Sequence, residues 1–147
     1  MQGNRLDTSL SNAVVRLFRL INRVHNRGLK PTGLSAEQAH VLSVLWYRGA
    51  MTMGALQRQL ALSSATLTGA IDRMETQGLV RRVPSEDDKR AFVLEPRASA
   101  KKRAQVDAVL DDGEQLCFGA LTQPERDQLL RLIDKCVSHL EPAAAAR

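Results

Sequence analysis

The sequence predicts a mainly α-helical chain carrying one small β-wing. Three observations predict it. Hydrophobic residues make up 44% of the chain but aromatics only 3%, a composition suited to helices rather than to a β-sandwich. Apolar residues recur at helical spacing through five or six segments. The exception is a pair of short β-like runs, 79–83 and 91–94, on either side of a seven-residue charged tip, 84–90. At 147 residues the chain is one domain's worth, 1–147, long enough for a real core and short for two.

The elements follow in order. Leu6 to Leu29 reads as a first helix, with Leu10, Val14, Leu17, Phe18, Ile21 and Val24 or His25 on an apolar face and Asn12, Arg16, Arg19, Arg23 and Arg27 on a basic one. Pairing with the acidic C-terminal third is the expectation for that arginine stripe. Lys30-Pro31-Thr32-Gly33 breaks the helix. Ser35, with Gln38 three residues on, completes a capping box for a second helix that runs to about Arg48. Met51-Thr52 reads as a very short strand, and Thr52 caps the helical pattern Met53–Leu60.

After the break Ala61-Leu62-Ser63, Ser63 caps a helix from Ser64 to Gln77 that stops at Gly78. Leu67, Ala70, Ile71 and Met74 form its apolar stripe. Thr68, Gly69, Asp72, Arg73 and Thr76 point the other way, with Ser64 and Thr66 on the flanks. The hairpin follows, with Arg81, Arg82, Lys89 and Arg90 at the two ends of its tip, and Asp88 placed to cap the turn and hold a guanidinium. Pro96 reads as the first position of a long helix from about Arg97 to Leu116 or Gly119, in which Gly113 reads as a kink or a frayed point. Thr122-Gln123-Pro124-Glu125 starts a last helix that Glu141-Pro142 ends, with 143–147 frayed.

Helix, turn, helix, strand, charged hairpin, strand is the order of a winged helix-turn-helix, which lays one helix in a DNA major groove and a basic hairpin beside it. Short Ser, Thr and Gly side chains on the second helix let its backbone approach a groove closely. Charge supports this reading. Residues 1–50 carry seven Lys/Arg against two acids, 51–103 ten against six, and 104–147 four against eight. A basic two thirds and an acidic remainder are expected if one end of the molecule faces phosphate.

From Leu60 to Leu94 the chain resembles the DNA-binding lobe of the MarR (multiple antibiotic resistance regulator) family. The resemblance rests on LSSATLTGAIDRMETQGLVRR (Leu62 to Arg82) and PSEDDKRAFVLEP (Pro84 to Pro96). Within them stand Asp72-Arg73, the run Gly78-Leu79-Val80 with Arg82, and the wing tip Asp88-Lys89-Arg90. Two departures stand out. Gly69 occupies a position that is polar or basic in many relatives, and Glu95-Pro96-Arg97 replaces the usual Leu-Thr-x-x-Gly before the next helix.

The resemblance implies a homodimeric, sequence-specific regulator of transcription, a repressor on a palindromic operator. Its dimerisation helices would be 6–30 and 97–140, and its winged lobe 35–95. Ser64, Thr66, Thr68 and Arg73 are the expected recognition-helix contacts, and Lys89 and Arg90 those of the wing, supported by Asp88. With Gly69 lacking a side chain to read bases, DNA shape should count for more than usual. The resemblance also implies a pocket for a small aromatic or phenolic ligand, for which Arg16, Arg19, His40, Trp46 and Tyr47 are the candidates.

Other classes find less support. The sequence carries no Gly-rich phosphate loop, nucleophile elbow or helical His-Glu metal pair, and His25, His40 and His139 are dispersed. No enzyme activity, cofactor or metal is therefore expected. A winged helix that binds proteins without specific DNA binding is the main rival, and Lys89 and Arg90 weigh against it. No apolar run spans a membrane and no signal-peptide core is visible, so a cytoplasmic protein is expected. Cys117 follows Asp111, Asp112 and Glu114, and Cys136 sits at the apolar spacing of Ile133 and Leu140. Neither is expected to be a redox sensor.

Overall fold

In the computed structural model, which describes residues 9–88 and 90–145, helices frame a small three-stranded sheet. Helix α1 (Leu10–Leu29) leads through a 3-10 turn (Lys30–Thr32) to α2 (Ala36–Arg48). Strand β1 (Met51–Thr52), helices α3 (Met53–Leu60) and α4 (Ser64–Thr76), and strands β2 (Val80–Pro84) and β3 (Phe92–Pro96) follow. The chain closes with α5 (Ala100–Phe118) and α6 (Gln123–Ala145). The sheet is antiparallel in the order β1-β3-β2.

Side-chain oxygens set most of the helix starts. Ser35 Oγ accepts from Gln38 N while Gln38 Oε1 accepts from Ser35 N, the reciprocal pair that satisfies two orphan amides. Thr52 and Ser63 accept from Ala55 N and Thr66 N. Ser9 does the same for α1, accepting from Asn12 N, so the expected start at Leu6 moves to Leu10, with 6–8 outside the described residues. Ahead of α6, the Glu125 carboxylate accepts from both the backbone and the hydroxyl of Thr122. These bonds hold its pKa below the ordinary glutamate value.

The core joins both parts of the chain. Leu42 and Leu45 of α2, Leu56 of α3, Leu67, Ile71 and Met74 of α4, Val80 and Leu94 of the sheet, and Val106 of α5 are all buried. Where α1 crosses α5, each helix contributes a glycine. A Cβ on Gly28 would lie 2.7 Å from Val109 Cγ1, and one on Gly113 would lie 2.5 Å from His25 Cδ2. Gly113 is thus buried inside a continuous helix, where the His25 ring takes the room a side chain would need, and is not a frayed point.

Two proline readings are corrected. Pro96 does not open α5: it ends β3, opposite Val80, and the ladder continues as Arg97 N donates to Leu79 O. Ser99 is the cap instead, accepting from Lys102 N. Pro142 does not end α6, which continues to Ala145. In an exposed last turn the bond proline cannot make costs little, because water serves the freed carbonyl.

The terminal helices leave apolar surface open. Leu10, Val14 and Phe18 on α1, and Leu130, Ile133, Val137 and Leu140 on α6, are all exposed, and α6 buries no residue in this chain. Cys136 belongs to that open stripe and is exposed, although its apolar spacing reads as buried; Cys117 is half-buried. The expected pairing of the α1 arginines also fails. Among the described residues Arg16, Arg19, Arg23 and Arg27 make no ion pair; the pairs formed are Arg81–Glu95, Arg82–Asp72, Arg82–Glu75 and Arg103–Asp107. Long side chains on an exposed helix gain little from pairing and stay hydrated.

Candidate nucleic-acid interface

Helix α4 has one face in the core and one in solvent. At about 100° per residue, the buried Leu67, Ala70, Ile71 and Met74 occupy one side. Ser64 and Thr68 then fall on one flank of the open face, Thr66 and Arg73 on the other, and all four are exposed. Thr66 is partly committed: its hydroxyl shares a 2.7 Å hydrogen bond with Ser63 Oγ within the cap. Gly69 lies between the flanks. A Cβ placed there would lie 3.4 Å from Arg73 Nη1, so the bare glycine leaves a seat along which the guanidinium lies.

The helix ends in a tight closure. Gly78, at φ 70°, allows Leu79 N to donate to Met74 O and Gly78 N to Glu75 O, and the chain turns at once into β2. At the wing tip Ser85 N donates to Ala91 O, Ala91 N to Asp88 O, and Asp88 Oδ1 accepts from the backbone N–H of Arg90 at 2.9 Å. Asp88 therefore caps the turn as expected. It does not hold a guanidinium, since among the described residues no ion pair involves it, and the Arg90 side chain is left exposed. Lys89 lies outside the described residues.

The remaining two wing cations are each paired with carboxylates of the lobe. Arg81 Nε and Nη2 donate to Glu95 Oε2 at 2.9 and 2.8 Å, across the register pair Arg81↔Glu95. Arg82 reaches back to α4, where Nη2 donates to Asp72 Oδ1 at 2.6 Å and Nη1 to Glu75 Oε2. The bond to Asp72, foremost, raises the Arg82 pKa above its ordinary value. Sequence reading missed this bridge. Its one signal was a pair of acids three residues apart on α4, facing a strand known only to come next.

The five residues expected to line a ligand pocket do not come together. Arg16 and Arg19 sit on the exposed side of α1. Trp46 and Tyr47 close on Arg103 of α5, whose Cζ stands 5.7 and 5.0 Å from their ring centres. Only His40 lines a groove, of about 650 Å³, with Phe18, Asn22 and Asn26 of α1, Glu37 of α2 and Leu62 after α3. The His40 pKa lies below 6.5, first because packing penalises the charged ring and then because His25 is close.

An exposed polar helix face, a tightly closed turn and a hairpin with an open arginine at its tip, all in one lobe, define a winged helix-turn-helix protein. The family model described as MarR family matches residues 34–92. BadR of Rhodopseudomonas palustris, a transcriptional activatory protein, is 35% identical over 113 residues, 66% of this chain and 65% of BadR. The multiple antibiotic resistance protein MarR of Salmonella typhimurium is 30% identical over 94 residues, 59% of this chain and 65% of MarR. The match spans just under two thirds of the length of these curated relatives.

Solved structures agree on the fold. An E. coli MarR mutant complexed with operator DNA matches at a TM-score of 0.73 and 24% identity, over 86% of this chain and 92% of that one. The organohalide-sensing regulator RdhR in its 2,4-dichlorophenol-bound form matches at 0.79 and 23%, over 97% and 89%. Across residues 34–92 the chain matches the MarR family, and its fold is that of the solved MarR-type regulators.

Proposed function

We propose that this protein is a homodimeric, sequence-specific regulator of transcription that represses from a palindromic double-stranded operator in the cytoplasm and is released by a small aromatic or phenolic ligand. The observation that carries this reading is the free polar face of α4, with Ser64, Thr68 and Arg73 exposed in the same lobe as the wing's exposed Arg90. Ser64, Thr66, Thr68 and Arg73 are the proposed contacts in the groove. Lys89 and Arg90 are those of the wing. Asp88 shapes the tip, and cations at the edge of a groove position a protein on phosphate.

Dimerisation through 6–30 and 97–140, with 35–95 as the winged lobe, is supported by the open apolar stripes of α1 and α6. A second copy would cover both. For the ligand, support is narrower: of the five candidates only His40 lines the groove, where Asn22 and His40 offer hydrogen bonds beside Phe18 and Leu62.

A gel-shift series on genomic fragments at rising salt, with sedimentation alongside, tests the reading. One fragment should bind far better than bulk DNA, with the protein a dimer at micromolar concentration. A monomer that prefers no fragment would refute it and favour a protein-binding winged helix. Phenols and aromatic acids should then raise the melting temperature and release the DNA; silence across a broad panel would remove the ligand from the proposal.

A further inference from the structure

We propose that Arg82 is a positioning residue that locks the wing to α4, so that DNA meets helix and wing as one rigid surface; the inference rests on the DNA-binding reading above. The geometry is a three-point tie. The guanidinium donates through one amine to Asp72 and through the other to Glu75, while the Arg82 backbone N–H donates to Glu75 Oε1 at 3.0 Å. Both acceptor residues belong to α4, and all three donors to Arg82 of β2. Arg81, one residue earlier, turns the other way and ties β2 to β3 through Glu95. Consecutive strand residues point to opposite faces, so the two arginines brace β2 from both sides.

The link they brace is short. Only Gln77, Gly78 and Leu79 separate α4 from β2, and Gly78 stands at φ 70°. A glycine is a low-cost pivot, and past the end of β1 the hairpin runs on as a two-stranded ribbon whose tip must meet DNA. The planar fork of arginine suits two carboxylates from one helix, whereas a lysine ammonium carries the same charge without the fork. The Arg82 side chain is 31% exposed, so it lies against the protein, while Arg90 at the tip is open. Arg82 therefore acts on DNA through the wing.

Two variants separate this role from simple electrostatics. Arg82→Lys keeps the charge and loses the fork. It should weaken operator binding about tenfold, the loss of one charge-assisted hydrogen bond, with the salt slope unchanged. Asp72→Ala removes a negative charge from the helix that faces phosphate. Electrostatics alone makes it bind more tightly, whereas loss of the lock makes it bind more weakly.

The decisive measurement is a double-mutant cycle. If the lock aims the wing, Arg90→Ala should cost much less in the Arg82→Lys background than in the parent. General destabilisation would leave the Arg90 penalty intact. Amide hydrogen exchange on the DNA-free protein supplies a separate readout, and Arg82→Lys should raise exchange across β2 and β3 several-fold more than in α2. Additive Arg82 and Arg90 penalties, tighter binding by Asp72→Ala, or unchanged exchange in the wing would each overturn the inference. A parent that binds no DNA specifically would defeat the functional reading instead, and the exchange measurement would still decide the lock.

Discussion

Replacing Gly113 by alanine sets helix propensity against close packing. In an exposed helix interior alanine is better than glycine by about 1 kcal/mol. Gly113, however, is buried where α5 crosses α1. A Cβ there would lie 2.5 Å from His25 Cδ2 and 2.6 Å from Nε2, roughly 1 Å inside ordinary carbon contact. The obstacle is an aromatic ring, half-buried between two helices, with little freedom to swing aside. Overpacking of this kind costs about 1–3 kcal/mol, so after the propensity gain the net loss is about 1 kcal/mol. For a chain of this length that lowers the melting temperature by about 4 °C.

Gly69 is the internal control, since there an alanine Cβ meets only the far end of the Arg73 side chain, at 3.4 Å. Gly69→Ala should therefore gain about 1 kcal/mol. Both variants are compared with the parent by thermal and guanidinium unfolding at one protomer concentration, because dimerisation links stability to concentration. Combining Gly113→Ala with His25→Ala should be less harmful than the sum of the two, by about 1 kcal/mol. A Gly113→Ala protein that gains stability as Gly69→Ala does, or a strictly additive double variant, would refute the reasoning.

Arg90→Ala should weaken binding to all sequences alike and flatten the salt slope by about one; an unchanged slope would remove the wing from the interface. His40, with its pKa depressed by packing and by His25, favours the neutral ring in the folded state. Its contribution is complete above the ordinary histidine value of 6.5 and is lost as pH falls toward the lower folded value. The melting temperature should therefore drop between about pH 7.5 and about pH 5.5, and less steeply in His40→Gln; equal slopes would show that other groups govern this range. Mild peroxide should leave DNA affinity unchanged in the parent, in Cys117→Ser and in Cys136→Ser. A reversible loss abolished by either substitution would make oxidation an inducing signal, and the exposure of Cys136 makes that the substitution to examine first.

What could be read from the sequence follows the range of the interaction responsible. Caps are local, so Ser35 with Gln38, Thr52 and Ser63 mark helix starts that their side chains do form. The apolar stripe of α4 was equally legible, because a buried face repeats at the helical period. Pro96 was misread because a proline after a strand looks like a first helical residue. The hairpin register, which runs on to pair it with Val80, is set by a strand a dozen residues earlier.

Gly113 looked like a weak point for a similar reason, since the histidine that needs its space lies on the first helix. Chain order groups Trp46 and Tyr47 with the arginines of α1, whereas the cation that meets their rings is Arg103 of α5. The same limit applies inside the candidate site. In one dimension Arg81 and Arg82 are two equal cations beside a charged tip. Only the register of β2 against β3 on one side and α4 on the other sends Arg81 to Glu95 and Arg82 to Asp72 and Glu75. With both paired to carboxylates of the lobe, the wing cation that has no ion pair among the described residues and is open to meet phosphate is Arg90, and the lock on β2 becomes the device that decides where that charge is presented.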